Sequence, residues 1–255
     1  QLRGGLPGDE GAGLGMIDFE NVNFAYDDGT PVLHDIDLTV PAASTLALLG
    51  ASGSGKTTLL HLLLGLLRPQ RGQVRVDGVD IVPLSEKELR PVRRKMGVVF
   101  QDGALFDSLT VGENVSFIMR ECMELEEDEI EARTVRMLEY VGLAHTLNLM
   151  PDELSGGMKR RVAVARAMAA FDPAIMLYDE PTSGLDPITA DNICDLIRQV
   201  SEEKSLTSVI VTHRLRDAFK VADQIVLFKD GRIHFFGDRQ ALFALDDPYV
   251  KRFLA

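Results

Sequence analysis

Ile36, Leu38 and Val40 alternate with polar residues, the period-two pattern of a strand with one buried face. Ile17, Phe19 and Phe24 begin ordered structure just before it. Residues 45–49 form a short apolar run ending at Gly50, which predicts a strand buried on both faces. The leucine-dense run after Lys56 is apolar nearly all round, as in a helix sunk in a core. Further apolar runs at 174–178, 208–211 and 224–228 alternate with helical patterns, predicting a largely parallel, three-layer α/β sheet. Asp230-Gly231 reads as a hairpin turn between 227–228 and 233–235. From about 101 to 170 the pattern is mainly helical, with Met137, Leu138 and Val141 at helical spacing, so an α-helical subdomain is expected inside the α/β core.

The ends differ from this middle. Residues 1–15 hold six glycines (Gly4, Gly5, Gly8, Gly11, Gly13 and Gly15) and no apolar periodicity, and are read as a flexible leader. Residues 16–255 are then one domain: core at about 16–100 and 171–237, helical subdomain at about 101–170, and a short helical tail at about 238–255. With 27 basic and 39 acidic residues the chain carries a net charge of −12, which argues against a general nucleic-acid-coating role. The Glu-rich stretch 121–131 reads as a solvated helix face. Cys122 and Cys194 are too few for a disulfide framework and sit in no ligand cluster, so both are expected to be buried, reduced thiols. The apolar run 59–67 is too short to span a bilayer, so any membrane role would come through a partner.

Chemistry enters at Gly50-Ala51-Ser52-Gly53-Ser54-Gly55-Lys56-Thr57-Thr58, which fits the phosphate-binding P-loop between a buried strand and a helix. The glycines let backbone N–H groups close around phosphate oxygens, and the following helix adds the positive end of its dipole. Lys56 would bridge β- and γ-phosphates and Thr57 would put its hydroxyl on Mg²⁺. The run at 174–178 ends in Asp179 and Glu180, resembling a Walker B motif: Asp179 would support Mg²⁺ and Glu180 would orient or deprotonate the attacking water. Adjacent strand residues face opposite ways, so the two carboxylates need not share a task.

Leu154-Ser155-Gly156-Gly157-Met158, read alone, is an N-cap before a helix. Placed shortly before the run at 174–178, it resembles the signature motif of ATP-binding cassette (ABC) ATPases. The resemblance covers about 17–237. Tyr26 matches the aromatic that stacks on adenine, Gln101 the Q-loop glutamine, Ser183-Gly184-Leu185-Asp186 the D-loop, and His213 the switch histidine at the γ-phosphate. The sequence around 100–115, with Met158 where most signatures carry Gln, looks like the ATPases of Mla-type bacterial lipid transporters. Arg214 departs from the Asp that often follows the switch histidine, which puts a local hydrogen bond in doubt.

The resemblance implies an α/β P-loop NTPase (RecA-like) fold with a three-layer core, an antiparallel β edge and the inserted helical subdomain. It implies ATP and Mg²⁺ as cofactors. ATP contacts would come from Tyr26, residues 50–58, Ser155, Gly156, Gly157 and Asp186, metal contacts from Thr57, Gln101 and Asp179, and catalytic roles from Lys56, Gln101, Glu180 and His213. It further implies a head-to-tail homodimer in which Ser155 and Gly157 of one copy close over the other copy's nucleotide. The remaining partners would be integral membrane permease subunits and a periplasmic lipid-binding component, with no nucleic acid, at the cytoplasmic face of the inner membrane. Leu105, Phe106, Leu109 and Val111 would either line a permease groove or form subdomain core, and the tail at 248–255 would contact the neighbouring protomer. Other importers or exporters, for amino acids, metals or lipoproteins, remain open on these residues. A repair-type ABC ATPase is disfavoured, because no sustained heptads separate Gln101 from Ser155.

Overall fold

The computed structural model describes residues 15–254 except Asp28, so nearly all of the expected leader lies outside the described residues. The first half of the chain runs β1 (Ile17–Ala25), β2 (Pro31–Val40), β3 (Thr45–Gly50), α1 (Lys56–Leu63), β4 (Arg71–Val76), β5 (Val79–Asp80), α2 (Glu86–Arg93), β6 (Met96–Val99), α3 (Val111–Cys122) and α4 (Glu127–Tyr140). It continues through α5 (Gly156–Ala169), β7 (Ile175–Asp179), α6 (Pro187–Lys204), β8 (Thr207–Val211), α7 (Leu215–Val221), β9 (Gln224–Lys229), β10 (Arg232–Gly237), α8 (Arg239–Ala244) and α9 (Pro248–Leu254).

Two sheets result. The larger has order β10-β9-β3-β8-β7-β6; its strands are parallel from β9 to β6, and β10 folds back antiparallel on β9 through the Asp230-Gly231 turn. The smaller, β2-β1-β4-β5, is wholly antiparallel. This is the expected α/β architecture with its antiparallel edge.

Side-chain alternation divides the larger sheet into two faces. Leu46, Leu48, Ile175, Leu177, Val209, Val211, Val226 and Phe228 join α1, α2 and the small sheet in one core. Met176, Tyr178 and Ile210 face the other way into a core with α3, α4, α5 and α6, while Ala47, Leu49, Ile225 and Leu227 pack under α7, α8 and α9. The helical insert therefore shares one continuous apolar cluster with the α6 side of the sheet. Its first helix starts at a capping box between Thr110 and Glu113.

Several expectations change. Val111 is fully buried and belongs to the insert's core, whereas Phe106 stands exposed with Arg166 stacked over its ring. Leu105 packs against that core, so the 105–111 set is not one groove-lining row. Val250 of α9 is fully buried in the cluster that holds Leu49 and Leu227, so part of the tail's apolar face is used within its own chain. Cys194 is buried as expected, but Cys122, at the end of α3, is exposed. The stretch β4 to β6 adds elements beyond those expected: β4 alternates at Val74 and Val76 before an Asp77-Gly78 turn, β5 and β6 are short, and α2 contains Pro91.

The two sheets meet where the β9–β10 turn presses on β2. Gly231 has φ 69°, its carbonyl accepts the His34 N–H at 2.8 Å, and a Cβ there would lie 2.2 Å from the Val32 carbonyl oxygen. Gly231→Ala is therefore expected to destabilise the fold by about 2 kcal/mol, read as a lower denaturant midpoint at unchanged m value.

Candidate functional site

β3 delivers the chain to Gly50, and α1 begins at Lys56 without any side-chain cap, so its first N–H groups stay available. Gly55 makes the entry possible: its φ is 104°, and a side chain there would meet Leu33 at 2.7 Å. Lys56, only 6% exposed, donates from Nζ to the carbonyls of Gly50 and Ala51, both at 2.9 Å, and to Ser54 Oγ at 3.4 Å. Burial pushes its pKa down, against the opposing pull of the Glu180 and Asp179 carboxylates. Beside it opens a cavity of about 750 Å³. Tyr26, Ala51, Ser52, Gly53, Gly55, Lys56, Thr57, Thr58, Gln101, Asp179, Glu180 and His213 all line it. Gly50 and Ser54 lie beneath, as partners of the Lys56 ammonium.

Asp179 ends β7 on the same face as Ile175 and Leu177, which turns it toward α1. Thr57 Oγ1 donates to its two carboxylate oxygens at 3.4 and 3.5 Å. Burial first, then the neighbouring Glu180 charge, raises the Asp179 pKa. Glu180 does not continue the strand. It turns with φ 49° while its N–H donates to the Val211 carbonyl at 2.9 Å, and both carboxylates thereby enter one cavity, contrary to the opposite-face expectation. Its carboxylate meets His213 Nδ1 at 2.9 and 3.0 Å. Gln101 Nε2 donates to Ser183 Oγ at 3.4 Å, and the Tyr26 hydroxyl lies 3.2 Å from Thr58 Oγ1 with its ring 44% exposed. An exposed ring beside the cradle offers a stacking surface. Hydroxyl, carboxylate and amide oxygens at Thr57, Asp179 and Gln101 are the hard donors that suit Mg²⁺, which takes one or two carboxylates together with phosphate oxygens.

Four expected residues lie elsewhere. Ser155 caps α5, its Oγ accepting from Met158 N at 3.3 Å. Gly156 and Gly157 allow close packing on Leu185 and Thr189, where added Cβ atoms would sit at 2.9 and 2.5 Å. Asp186 caps α6, accepting from Ile188 N and Thr189 N, each at 3.0 Å. None of these four lines the cavity. The Asp186 Oδ1 is thus a helix cap in this chain, outside the cavity, as Ser155 is. Val32, Ser183 and Val211 line the cavity although no chemistry marked them as contacts. Arg214 makes its own local bond, donating to the Thr182 carbonyl at 3.2 Å.

The raised Asp179 pKa has a consequence for stability. Its charged form is disfavoured in the fold, so stability is lost as pH climbs from the ordinary carboxylate range through the raised value. Asp179→Asn is expected to melt higher than the parent near pH 7 without nucleotide, and the difference should vanish below about pH 3.5, where the parent carboxylate is neutral in both states.

The family described as ABC transporter matches residues 33–183. The probable ribonucleotide transport ATP-binding protein mkl of Mycobacterium tuberculosis is 41% identical over 223 residues, which are 88% of this chain and 62% of that protein. The chain thus spans under two thirds of the length of that relative. The intermembrane phospholipid transport system ATP-binding protein MlaF of Haemophilus influenzae is 41% identical over 240 residues, 94% of this chain and 90% of that protein. The dimeric post-hydrolysis structure of the ATP-binding cassette MJ0796 bound to ADP and Pi superposes with TM-score 0.80 and 33% identity, covering 88% of this chain and 98% of that one. The chain belongs to the ABC transporter family, as one of its ATPase cassettes.

Proposed function

We propose that this chain binds ATP with Mg²⁺ and hydrolyses it to drive phospholipid transport through a membrane permease. The observation that supports this best is the single cavity joining Lys56, Thr57, Asp179, Glu180, Gln101 and His213. Lys56 and the N–H groups of the 50–57 loop take the phosphates, and Tyr26 stacks on the base. Thr57, Asp179 and Gln101 hold Mg²⁺, which neutralises charge on the phosphate oxygens. Glu180 orients the attacking water and takes its proton, and His213, already against Glu180, contacts the γ-phosphate once that pairing opens.

Ser155 and Gly157 stand at the N-terminus of α5, outside the cavity of their own chain. A head-to-tail second copy gives them a task, closing over the partner's phosphates with unpaired N–H groups. That a related cassette forms a dimer with ADP and Pi supports this reading. For the permease, the better receiving groove is a cavity of about 880 Å³ between α2–β6 and α3–α5, lined in part by Arg94, Ile118, Met123, Arg166 and Phe171. Among the described residues no helix is long and apolar enough to cross a membrane. As the ATPase partner of a permease, the chain would sit peripherally, at the cytoplasmic face of the inner membrane.

The cargo reading rests on MlaF, of which this chain covers 90%, against 62% of mkl with its ribonucleotide-transport name. A periplasmic lipid-binding component would complete the system. Affinity capture of the full chain from its own membranes should bring down a multispanning permease carrying phospholipid; a permease that instead carries amino acids, metals, lipoproteins or nucleotides overturns the cargo. Glu180→Gln should keep ATP affinity, lower turnover by at least about 100-fold, and run as a dimer with ATP on size exclusion. Lys56→Ala should weaken ATP binding by more than about tenfold in equilibrium titration.

A further inference from the structure

Three successive carbonyls after β7 are held by two arginines, one within α5 and one at the N-cap of α7. Arg160 of α5 is 5% exposed; its Nε donates to Pro181 O at 3.2 Å and its Nη2 to Ser183 O at 3.3 Å, with Asp102 at 3.4 Å from the same nitrogen. Between them, Thr182 O accepts from Arg214 at 3.2 Å. The Thr182 hydroxyl, fully buried, donates to Asp217 of α7, a carboxylate only 4% exposed that also pairs with Arg214 at 3.5 Å. Gln101 reaches the segment as well, at Ser183 Oγ. Residues 181–183 are thus gripped from the insert on one side and from α7 on the other.

Glu180 and His213 flank this arrangement. Glu180 immediately precedes the segment, its carbonyl accepts from Ser183 N at 3.1 Å, and its positive φ is one that an L-residue keeps only where surroundings enforce it. His213 immediately precedes Arg214. On α7, Arg216 and Lys220 pair with Asp191 at 3.2 and 2.7 Å, and Lys220 also pairs with Asp195 at 2.7 Å, so the helix bearing Asp217 is itself tied to α6.

We propose that Arg160 and Asp217 are positioning residues for hydrolysis: by clamping residues 181–183 from opposite sides they fix Glu180 against His213. The inference rests on the ATPase reading of the cavity. Arg160 lies on the helix whose N-terminus is Ser155, so one guanidinium links the surface offered to a second copy with the hydrolytic pair of its own chain. Neither residue lines the cavity, which separates their effect from nucleotide binding.

In the full chain, Arg160→Gln and Asp217→Asn should each lower kcat about tenfold, while the Kd for a fluorescent ATP analogue moves less than about twofold. Either loss frees the same segment, so the double variant should fall only about 10- to 20-fold, well short of a 100-fold product. Folded variants whose kcat stays within about twofold of the parent overturn the proposal, as do losses of kcat matched by losses of affinity, or losses that multiply. If either variant fails to fold, Arg214→Gln reads the same clamp from a side chain that is partly solvated; kcat about threefold lower at unchanged Kd supports it and unchanged kcat overturns it. A parent chain that neither binds nor turns over ATP overturns the functional reading and this one with it; an active parent with indifferent variants overturns this one alone.

Discussion

The cleft is organised around one ammonium group taken out of water. Lys56 replaces its hydration with the carbonyls of Gly50 and Ala51, and those two bonds draw the loop back over the start of α1. Burial works against the charge, and the carboxylates of Asp179 and Glu180 work for it. The same charge offsets the repulsion between those carboxylates, which share a cavity because Glu180 turns off the strand. In the proposed function the ammonium exchanges backbone carbonyls for phosphate oxygens, so the interaction that shapes the loop is also the one that recognises the ligand.

From that point the rest of the chain acts as positioning. β3 and β7 bring the cradle and the first carboxylate to the same end of one sheet, and β8 delivers His213 beside them. The small antiparallel sheet contributes Tyr26 and Val32 from the side. α5 and α6 begin with their own caps at Ser155 and Asp186, against each other and away from the cavity, where they form a surface rather than a wall. In the proposed head-to-tail pair, a cassette built this way would hold half of a site inside and present the other half outward.

How legible this was depends on the reach of each determining force. β3, the P-loop and β7 to β10 were readable because their patterns are local: apolar runs closed by glycine or by carboxylates, and a DG turn. β5 and β6 were not, since they span only 2 and 4 residues, and Pro91 masks α2 although Ser85 and Glu88 form its capping box; β4 does carry a local signal, Val74 and Val76 alternating with polar residues before an Asp77-Gly78 turn. Within the site, the residue types were legible but not their postures. Nothing in Asp179-Glu180 announces that the second residue leaves the strand, because the hydrogen bond that turns it comes from Val211 on another strand. Of Lys159, Arg160 and Arg161, only tertiary packing decides that Arg160 points inward. Nor does its motif show that Asp186 caps α6, its Oδ1 accepting from two helix N–H groups.

The division of β7 between two cores bears on how such a gene can drift. Odd-numbered positions from Ile175 face α1 and even-numbered ones face α5 and α6, so parity alone aims Asp179 at Thr57. Swapping one branched aliphatic for another leaves that parity intact. Adding or removing a single codon inside the strand exchanges the two faces, sends Tyr178's bulk and Asp179's charge to the wrong sides, and cannot be absorbed by repacking. In this strand, residue count is a stricter inheritance than residue identity.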